Sequence, residues 1–370
     1  MTLVLDGVTK EAGAELHIAP LDLTLEPGTL TVLLGRTQAG KTTLMRLMAG
    51  LDRPTRGKVL ADGRDVTGAS VRKRDVAMVY QQFINYPSKT VYDNIASPLR
   101  LQGIGRAEID RKVRETAAML RIDRFLERLP GELSGGQQQR TAIARALVKD
   151  AGLLLLDEPL VNLDYKLREE LRAELSEIFR RGKAIVVYAT TEPAEALILG
   201  GRTAVLDEGR LLQIGPTVEV FQHPASTKVA EVFSDPPMNI GPAEVADGAL
   251  WLGDGVAVPL TGHLAGLAAG PCTVGVRPSH LRLGEAGPDE ASVATEVQLA
   301  EISGSETYIH FHFGDRPWVA QQTGVHKHPL GTPVTIAIDP RRIYVFDAAG
   351  RLAAAPQRAP SARPTLARNG

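Results

Sequence analysis

Thr31-Val32-Leu33-Leu34-Gly35-Arg36-Thr37-Gln38-Ala39-Gly40-Lys41-Thr42-Thr43 decides the fold. Thr31 to Leu34 is a short apolar run that reads as a buried strand, and Thr43 to Ala49 spaces apolar residues as a helix does. Between them, Gly35 to Thr42 fits G-x-x-x-x-G-K-[ST] in the strand–loop–helix setting that gives the pattern its meaning. Backbone N–H groups of Gly35, Arg36, Thr37, Gln38, Ala39 and Gly40, with those of the helix start at Thr42 and Thr43, point at a nucleotide's β- and γ-phosphates. Lys41 adds a positive charge there, and the Thr42 hydroxyl can ligate Mg²⁺. ATP and Mg²⁺ are the implied ligands.

Downstream, Leu153 to Leu156 is uninterrupted and apolar, the mark of a central parallel strand covered on both faces, and it runs into Asp157-Glu158-Pro159. In an open α/β sheet the ligand lies beyond the carboxyl ends of the strands. Asp157 is therefore a candidate Mg²⁺ ligand, and Glu158 a candidate to orient or deprotonate an attacking water. A third element, Ser134-Gly135-Gly136-Gln137, precedes a helical stretch expected from Gln138 to Val148. Ser and two glycines at a helix N-terminus form a second anion site, although one chain with a phosphate loop needs only one. The spare site can serve a nucleotide held by a partner.

In these ordered motifs the chain resembles the ABC transporter ATPases, in which each ATP lies between one subunit's phosphate loop and the facing subunit's signature segment. Val79-Tyr80-Gln81 is similar to the family's Q-loop, Val161-Asn162-Leu163-Asp164 to its D-loop, and Tyr188-Ala189-Thr190-Thr191 stands at its switch loop, after a strand expected from Ala184 to Val187. The resemblance implies that Gln81 contacts Mg²⁺ and water, that Asp164 communicates across a dimer, and that Ser134 to Gln137 complete a partner's site. It covers about residues 3 to 347.

Within the family the chain looks most like ATPases of bacterial carbohydrate and polyol importers of the maltose and glycerol-phosphate type. From Asp235-Pro236-Pro237-Met238-Asn239 onward, short strands separated by Gly, Pro and Asp turns replace alternating helix and strand; expected strands include Cys272 to Val276, Val293 to Ile302, Glu306 to Phe313 and Val334 to Ile338. Gly275-Val276-Arg277-Pro278-Ser279-His280-Leu281 and Ile338-Asp339-Pro340 resemble the regulatory OB-like (TOBE/MOP-type) domain of those importers. The expected organisation is an α/β P-loop ATPase domain over residues 1–234 with a helical subdomain at about 83–150, an all-β OB-like domain over 235–350, and a disordered tail, rich in Ala, Pro and Arg, over 351–370. Val113, Ala117 and Leu120 follow helical periodicity inside the subdomain. The aromatics of Phe83 to Pro87 and the segment Val91 to Ile95 stand where importers receive a membrane subunit.

The resemblance implies two transmembrane permease subunits, a second ATPase subunit and, indirectly, a periplasmic solute-binding protein as partners, at the cytoplasmic face of a bacterial inner membrane. Composition is consistent with this. Lys plus Arg number 42 against 43 Asp plus Glu, which excludes a nucleic-acid scaffold held by bulk charge. The single cysteine, Cys272, excludes an internal disulfide. No apolar stretch reaches the ~20 residues that span a bilayer.

Three positions depart from the family pattern. Thr191 replaces the usual His, whose charge-assisted bond to the γ-phosphate is worth about 1.5–3 kcal/mol. Gln38 stands where a third Gly is usual; Gly takes φ > 0 without steric cost and Gln does not, so the loop is expected to sit slightly differently around the phosphates. Ala12 falls where an aromatic commonly stacks on adenine, leaving His17 as the nearby planar side chain. All three affect the nucleotide on this chain's own phosphate loop, whereas the signature segment, Glu158 and Asp164 are intact. The Thr-Gln-Ala-Gly-Lys and Thr-Thr-Glu-Pro stretches look most like one of two unlike ATPases of bacterial glycerol importers. The expectation is a transport ATPase working beside a different ATPase chain. The alternatives are a mainly regulatory ATP-binding subunit and a soluble ABC ATPase outside transport.

Overall fold

The computed structural model describes residues 1–161 and 163–357. Contacts divide the chain into two units, the first Met1–Val218 and the second beginning at Glu219.

The first unit starts with a hairpin, β1 (Leu3–Ala12) and β2 (Glu15–Leu25), and continues through β3 (Leu30–Leu34), α1 (Lys41–Ala49), β4 (Arg56–Ala61), β5 (Arg64–Asp65) and β6 (Val76–Val79). A helical insertion follows, α2 (Val91–Leu101), α3 (Arg106–Met119) and α4 (Gly135–Leu147). Then come β7 (Leu153–Asp157), α5 (Tyr165–Arg181), β8 (Ile185–Thr190), α6 (Pro193–Leu199), β9 (Arg202–Asp207) and β10 (Arg210–Pro216). An antiparallel sheet, β2-β1-β4-β5, shares one apolar core with a six-stranded sheet in the order β10-β9-β3-β8-β7-β6. In the latter, β9, β3, β8, β7 and β6 are parallel and only the edge strand β10 is reversed.

That sheet places the site. Leu34 pairs with Thr190, Asp157 with Ala189 and Val79 with Leu156. Strand ends distant in sequence therefore finish at one level, and the loops after β3, β6, β7 and β8 converge beyond it. Val113, Ala117 and Leu120 are fully buried in the helical insertion, as their spacing predicts.

The second unit is all-β apart from short helices. A six-stranded sheet pairs Val256–Pro259, Ala249–Gly253, Asn239–Ala246, Gly270–Val276, Tyr344–Phe346 and Leu352–Ala354 in that order. Two three-stranded sheets accompany it, and the core they share centres on Trp318, whose ring meets Phe313 edge-on at 5.0 Å and Phe311 at 6.5 Å.

Four expectations change. The helix expected from Gln138 begins at Gly135, because Ser134 caps it: Ser134 Oγ accepts from Gln137 N at 3.4 Å while Gln137 Oε1 accepts from Ser134 N at 3.1 Å. The strand expected over 293–302 is two strands, Ala291–Glu296 and Leu299–Ile302. Val297 N still reaches Thr332 O, whereas Gln298 N turns to His310 O, so the chain changes sheet between them. The disordered tail does not begin at residue 351, since Leu352–Ala354 pairs with Tyr344–Phe346 and Leu352 N donates to Ala225 O; residues 358–370 of that expectation lie outside those described.

The division at Val218 also precedes the boundary expected at 235. Arg277 explains why residues 219–234 go with the β unit. Its guanidinium donates to Phe233 O at 2.9 Å and Phe221 O at 2.7 Å and lies 3.8 Å from the Phe221 ring centroid. Only 3% of Arg277 is exposed, and burial lowers its pKa. Among the described residues no helix is long and apolar enough to cross a membrane.

Arg277→Ala strands two buried carbonyls and removes a ring contact, so it should destabilise the second unit by about 2–4 kcal/mol. Both tryptophans, Trp251 and Trp318, belong to that unit, so urea unfolding followed by tryptophan fluorescence reads the change directly. An unchanged midpoint would show that Arg277 does not hold the 219–234 segment.

Candidate functional site

Gly35 and Gly40 fix the loop between β3 and α1. A Cβ on Gly35 would stand 2.5 Å from Leu206 O, and Gly40 has φ +96° at the N-cap of α1. Gln38 takes φ +68°, the left-handed conformation that a glycine would adopt without cost. The expected displacement of the loop is therefore absent from this backbone angle. What remains is a local strain of about 1–2 kcal/mol.

The side chains that follow form one connected cluster. Lys41, 4% exposed, donates to Gly35 O at 2.8 Å and Arg36 O at 3.1 Å, and its Nζ lies 3.1 Å from Glu158 Oε1. Glu158 Oε2 accepts from Gln81 Nε2 at 3.2 Å. The Glu158 backbone has φ +45°, a strained angle for a non-glycine residue, pinned by its N–H donating to Ala189 O at 3.1 Å. Thr42 Oγ1 donates to Asp157 Oδ2 at 2.8 Å. Asp157 Oδ1 is buried with no hydrogen-bond partner, and burial raises the carboxyl pKa although the Thr42 bond opposes it.

These loops border a cavity of about 850 Å³ lined by Thr37 to Thr43, Gln81 and Glu158 on one side. Glu15, Leu16, His17, Glu208 and Gly209 line the other. His17, read from sequence as a planar stand-in, lies in that wall; Ala12 does not line it and sits at the end of β1, paired with Glu15. Leu16, Glu208 and Gly209 were not legible as site residues. The available signal was the Glu208-Gly209 turn: Gly209 has φ +73°, and a Cβ there would meet His17 O at 2.4 Å. The turn between β9 and β10 thereby packs on β2 and closes the wall.

Thr191 borders a narrow cleft of about 10 Å³ with Glu158 and Val161, so the switch position does lie beside the acidic residue. Ser134 to Gln137 and Asp164 do not line the main cavity. Asp164 caps α5, its Oδ1 accepting from Leu167 N at 3.0 Å, and Asn162 lies outside the described residues. The two signature glycines have different surroundings. A Cβ on Gly135 meets nothing within 4 Å, whereas one on Gly136 would stand 2.0 Å from Leu167 Cδ2. A side chain at Gly136 would have to displace Leu167 where α4 packs on α5, whereas Gly135 presents open backbone.

The aromatic segment splits likewise. Val91, Asn94 and Ile95 are fully buried, and Asn94 holds Tyr86 through its backbone N–H at 2.7 Å and carbonyl at 3.1 Å. Ile84 and Tyr86 are exposed.

The donor set fits Mg²⁺ of the kind held jointly with phosphates. Asp157 offers a buried, unpartnered oxygen, with Thr42 beside it. Among the described residues no group of three His, Cys, Asp or Glu forms a cage that could hold a metal by itself.

Comparison with known proteins agrees with this geometry. The sequence family described as ABC transporter matches residues 18–161, and the TOBE domain matches residues 274–346. The chain is 36% identical over 348 residues to the sn-glycerol-3-phosphate import ATP-binding protein of Salmonella typhi, covering 93% of this chain and 97% of that protein. It is also 36% identical over 357 residues to the xylose/arabinose import ATP-binding protein of Haloferax volcanii, covering 93% of each. Among solved structures, the post-hydrolysis dimer of the ATP-binding cassette MJ0796 with ADP and Pi superposes with a TM-score of 0.53 at 29% identity, covering 58% of this chain and 98% of that one.

Two outcomes follow from these contacts. A carboxyl whose folded pKa is raised loses stability for the fold as pH rises from its unfolded value through the folded one, so at pH 7.5 the Asp157 charge opposes folding. Asp157→Asn should therefore raise stability, measured without nucleotide, while weakening Mg²⁺-dependent nucleotide binding; a destabilised variant would contradict the burial argument. Gly136→Ala should lower the melting temperature by several degrees, from overpacking worth about 1–3 kcal/mol, and Gly135→Ala should leave it nearly unchanged. Differential scanning calorimetry separates the two, and equal shifts would remove the distinction.

Proposed function

The chain belongs to the ABC transporter ATP-binding proteins, and we propose that it is the energising subunit of an importer for a carbohydrate or polyol, glycerol in particular. The observation that carries this reading is the convergence of Lys41, Thr42, Gln81, Asp157 and Glu158 at the ends of parallel strands. Glycerol is supported by the resemblance of the phosphate and switch loops to one ATPase of glycerol importers. The relatives named above import glycerol phosphate or pentoses.

In the proposed reaction the loop N–H groups and Lys41 bind the phosphates of ATP. Glu158 holds Lys41 through Oε1 and Gln81 through Oε2, so phosphate oxygens compete with Glu158 for the ammonium. A Glu158 released from Lys41 has a carboxylate oxygen open to water. It accepts the proton of a water whose oxygen bonds to the γ-phosphorus as the bond to the bridging oxygen breaks, and Gln81 orients that water. Asp157, Thr42 and Gln81 would hold Mg²⁺, which supplies neutralisation of phosphate charge. Gly135, on the capped N-terminus of α4, is the backbone offered to a partner's nucleotide.

The second ATPase is proposed to be a different chain, and the pair to stand under two permease subunits at the cytoplasmic face of an inner membrane, fed by a periplasmic solute-binding protein. Gln38 lines this chain's own cavity and Thr191 borders the cleft beside Glu158, and a homodimer would carry both departures twice. A partner with the usual switch His would give one faster and one slower site.

Glu158→Gln should leave ATP affinity within about twofold and lower hydrolysis at this site by about 10²–10⁴, the range for loss of a general base. Thr191→His should speed that site by about tenfold or more. Single-turnover assays on the assembled importer measure both, and hydrolysis insensitive to Glu158 would remove it from the mechanism. For cargo and composition, the purified importer in liposomes should contain two unlike ATPases and be stimulated by glycerol. Stimulation by sn-glycerol 3-phosphate or a pentose alone would replace the cargo assignment, and two copies of this chain with equally fast sites would overturn the asymmetry.

A further inference from the structure

Arg168 stands on the first turn of α5, immediately after the D-loop, and its guanidinium joins two segments far apart in sequence. Nη1 donates to Glu192 Oε1 at 2.9 Å in the switch loop, and Nη2 reaches Leu163 O at 3.3 Å and Val161 O at 3.5 Å in the D-loop. About a quarter of the Arg168 side chain is exposed, so the pair is only partly screened by solvent.

The switch loop is otherwise fixed from the opposite side. Glu192 occupies the N-cap of α6 without using its side chain as a cap; instead its N–H donates to Thr190 Oγ1 at 3.0 Å. Thr190 Oγ1 in turn donates to the buried Glu195 at 2.6 Å, and Tyr188 Oη donates to the same carboxyl oxygen at 3.1 Å. Thr191 therefore sits between two anchored neighbours, and it borders with Glu158 and Val161 the narrow cleft between the two loops. A short Thr has no long side chain with which to follow a phosphate. The side-chain tie from the switch loop to the D-loop is the Arg168–Glu192 ion pair.

We propose that the Arg168–Glu192 pair is a positioning clamp that makes the D-loop and switch loop respond to nucleotide as one body, in place of the contact a switch histidine would provide. Arg168 touches neither substrate nor metal in this role. It carries a displacement of Glu192 to the backbone of Val161 and Leu163, the segment ahead of Asp164. The planar fork is what permits this, because one guanidinium serves a carboxylate and two carbonyls together. This inference rests on the assignment of the Gly35–Thr42 loop as the ATP site.

The test is hydrogen–deuterium exchange of the full chain in a Glu158→Gln background, with and without Mg-ATP, following peptides across 158–168 and 186–199. With Arg168 present, nucleotide should protect both peptides. With Arg168→Ala, protection at 186–199 should persist while protection at 158–168 falls by at least half; Arg168→Lys should restore part of it, and Glu192→Gln should behave like Arg168→Ala. In the importer with native Glu158, the same substitutions should lower kcat about three- to tenfold with KM for ATP within twofold, and the double variant should be no slower than either single one. Unchanged protection at 158–168, or single effects that multiply in the double variant, would overturn the clamp. Failure of the chain to bind ATP, or binding indifferent to Lys41→Ala, would instead overturn the site assignment beneath it.

Discussion

A lysine ammonium enclosed at the edge of a parallel sheet is the constraint on which the first unit's site depends. Lys41 is almost wholly buried and has no apolar retreat, so its three donors must all find oxygens. Two are supplied by Gly35 and Arg36, which bends the loop back over the helix start, and the third contact is Glu158, just beyond the end of β7. The loop, the end of β7 and the strained backbone of Glu158 are thus mutually determined. Apolar packing of β3, β7 and β8 supplies the frame, and the register of those strands decides that Lys41 and Glu158 meet at all.

This arrangement also explains why strain at Gln38 and Glu158 is tolerated. Each left-handed residue costs on the order of 1–2 kcal/mol, and each is held by contacts formed elsewhere. Gln38 lies between Gly35, which cannot carry a Cβ against Leu206 O, and Gly40, whose surroundings exclude one as well. The neighbours therefore set the loop's path, and the side chain at position 38 follows it. A reading of propensity alone expects the loop to yield to Gln; the packing makes Gln yield to the loop.

Much of the site was legible in the sequence because its chemistry requires particular atoms at fixed spacing. The phosphate loop and the strand-end acidic pair were found by pattern, Gln81 and Thr191 by resemblance to the family's Q-loop and switch loop, and the sheet brings them to one edge. The rest depended on contacts between segments that no spacing reveals. Gly136 read as half of an anion cradle and is instead the place where Leu167 of α5 fits against α4. Arg277 read as part of a family motif, and its task of gathering Phe221 and Phe233 emerges only when the chain is folded. The switch of sheets at Val297 was hidden because a strand that changes partner keeps the same apolar alternation.

The two halves of the chemistry differ in how firmly this chain holds them. Its own phosphate loop is complete in backbone and in Lys41, but its switch position has a short neutral side chain and its cavity wall has Leu16 and His17 rather than a large aromatic. The segment it offers outward has little freedom: Ser134 is committed to a capping box and Gly136 packs against Leu167, leaving Gly135 and the helix N-terminus open to a phosphate. A rigidly capped N-terminus presents its N–H groups in fixed directions, which suits recognition of a nucleotide held elsewhere. Under the proposed pairing with an unlike ATPase, such a chain would give more to the partner's reaction than it receives, because Thr191 and Gln38 lie at its own site and not at the N-terminus of α4.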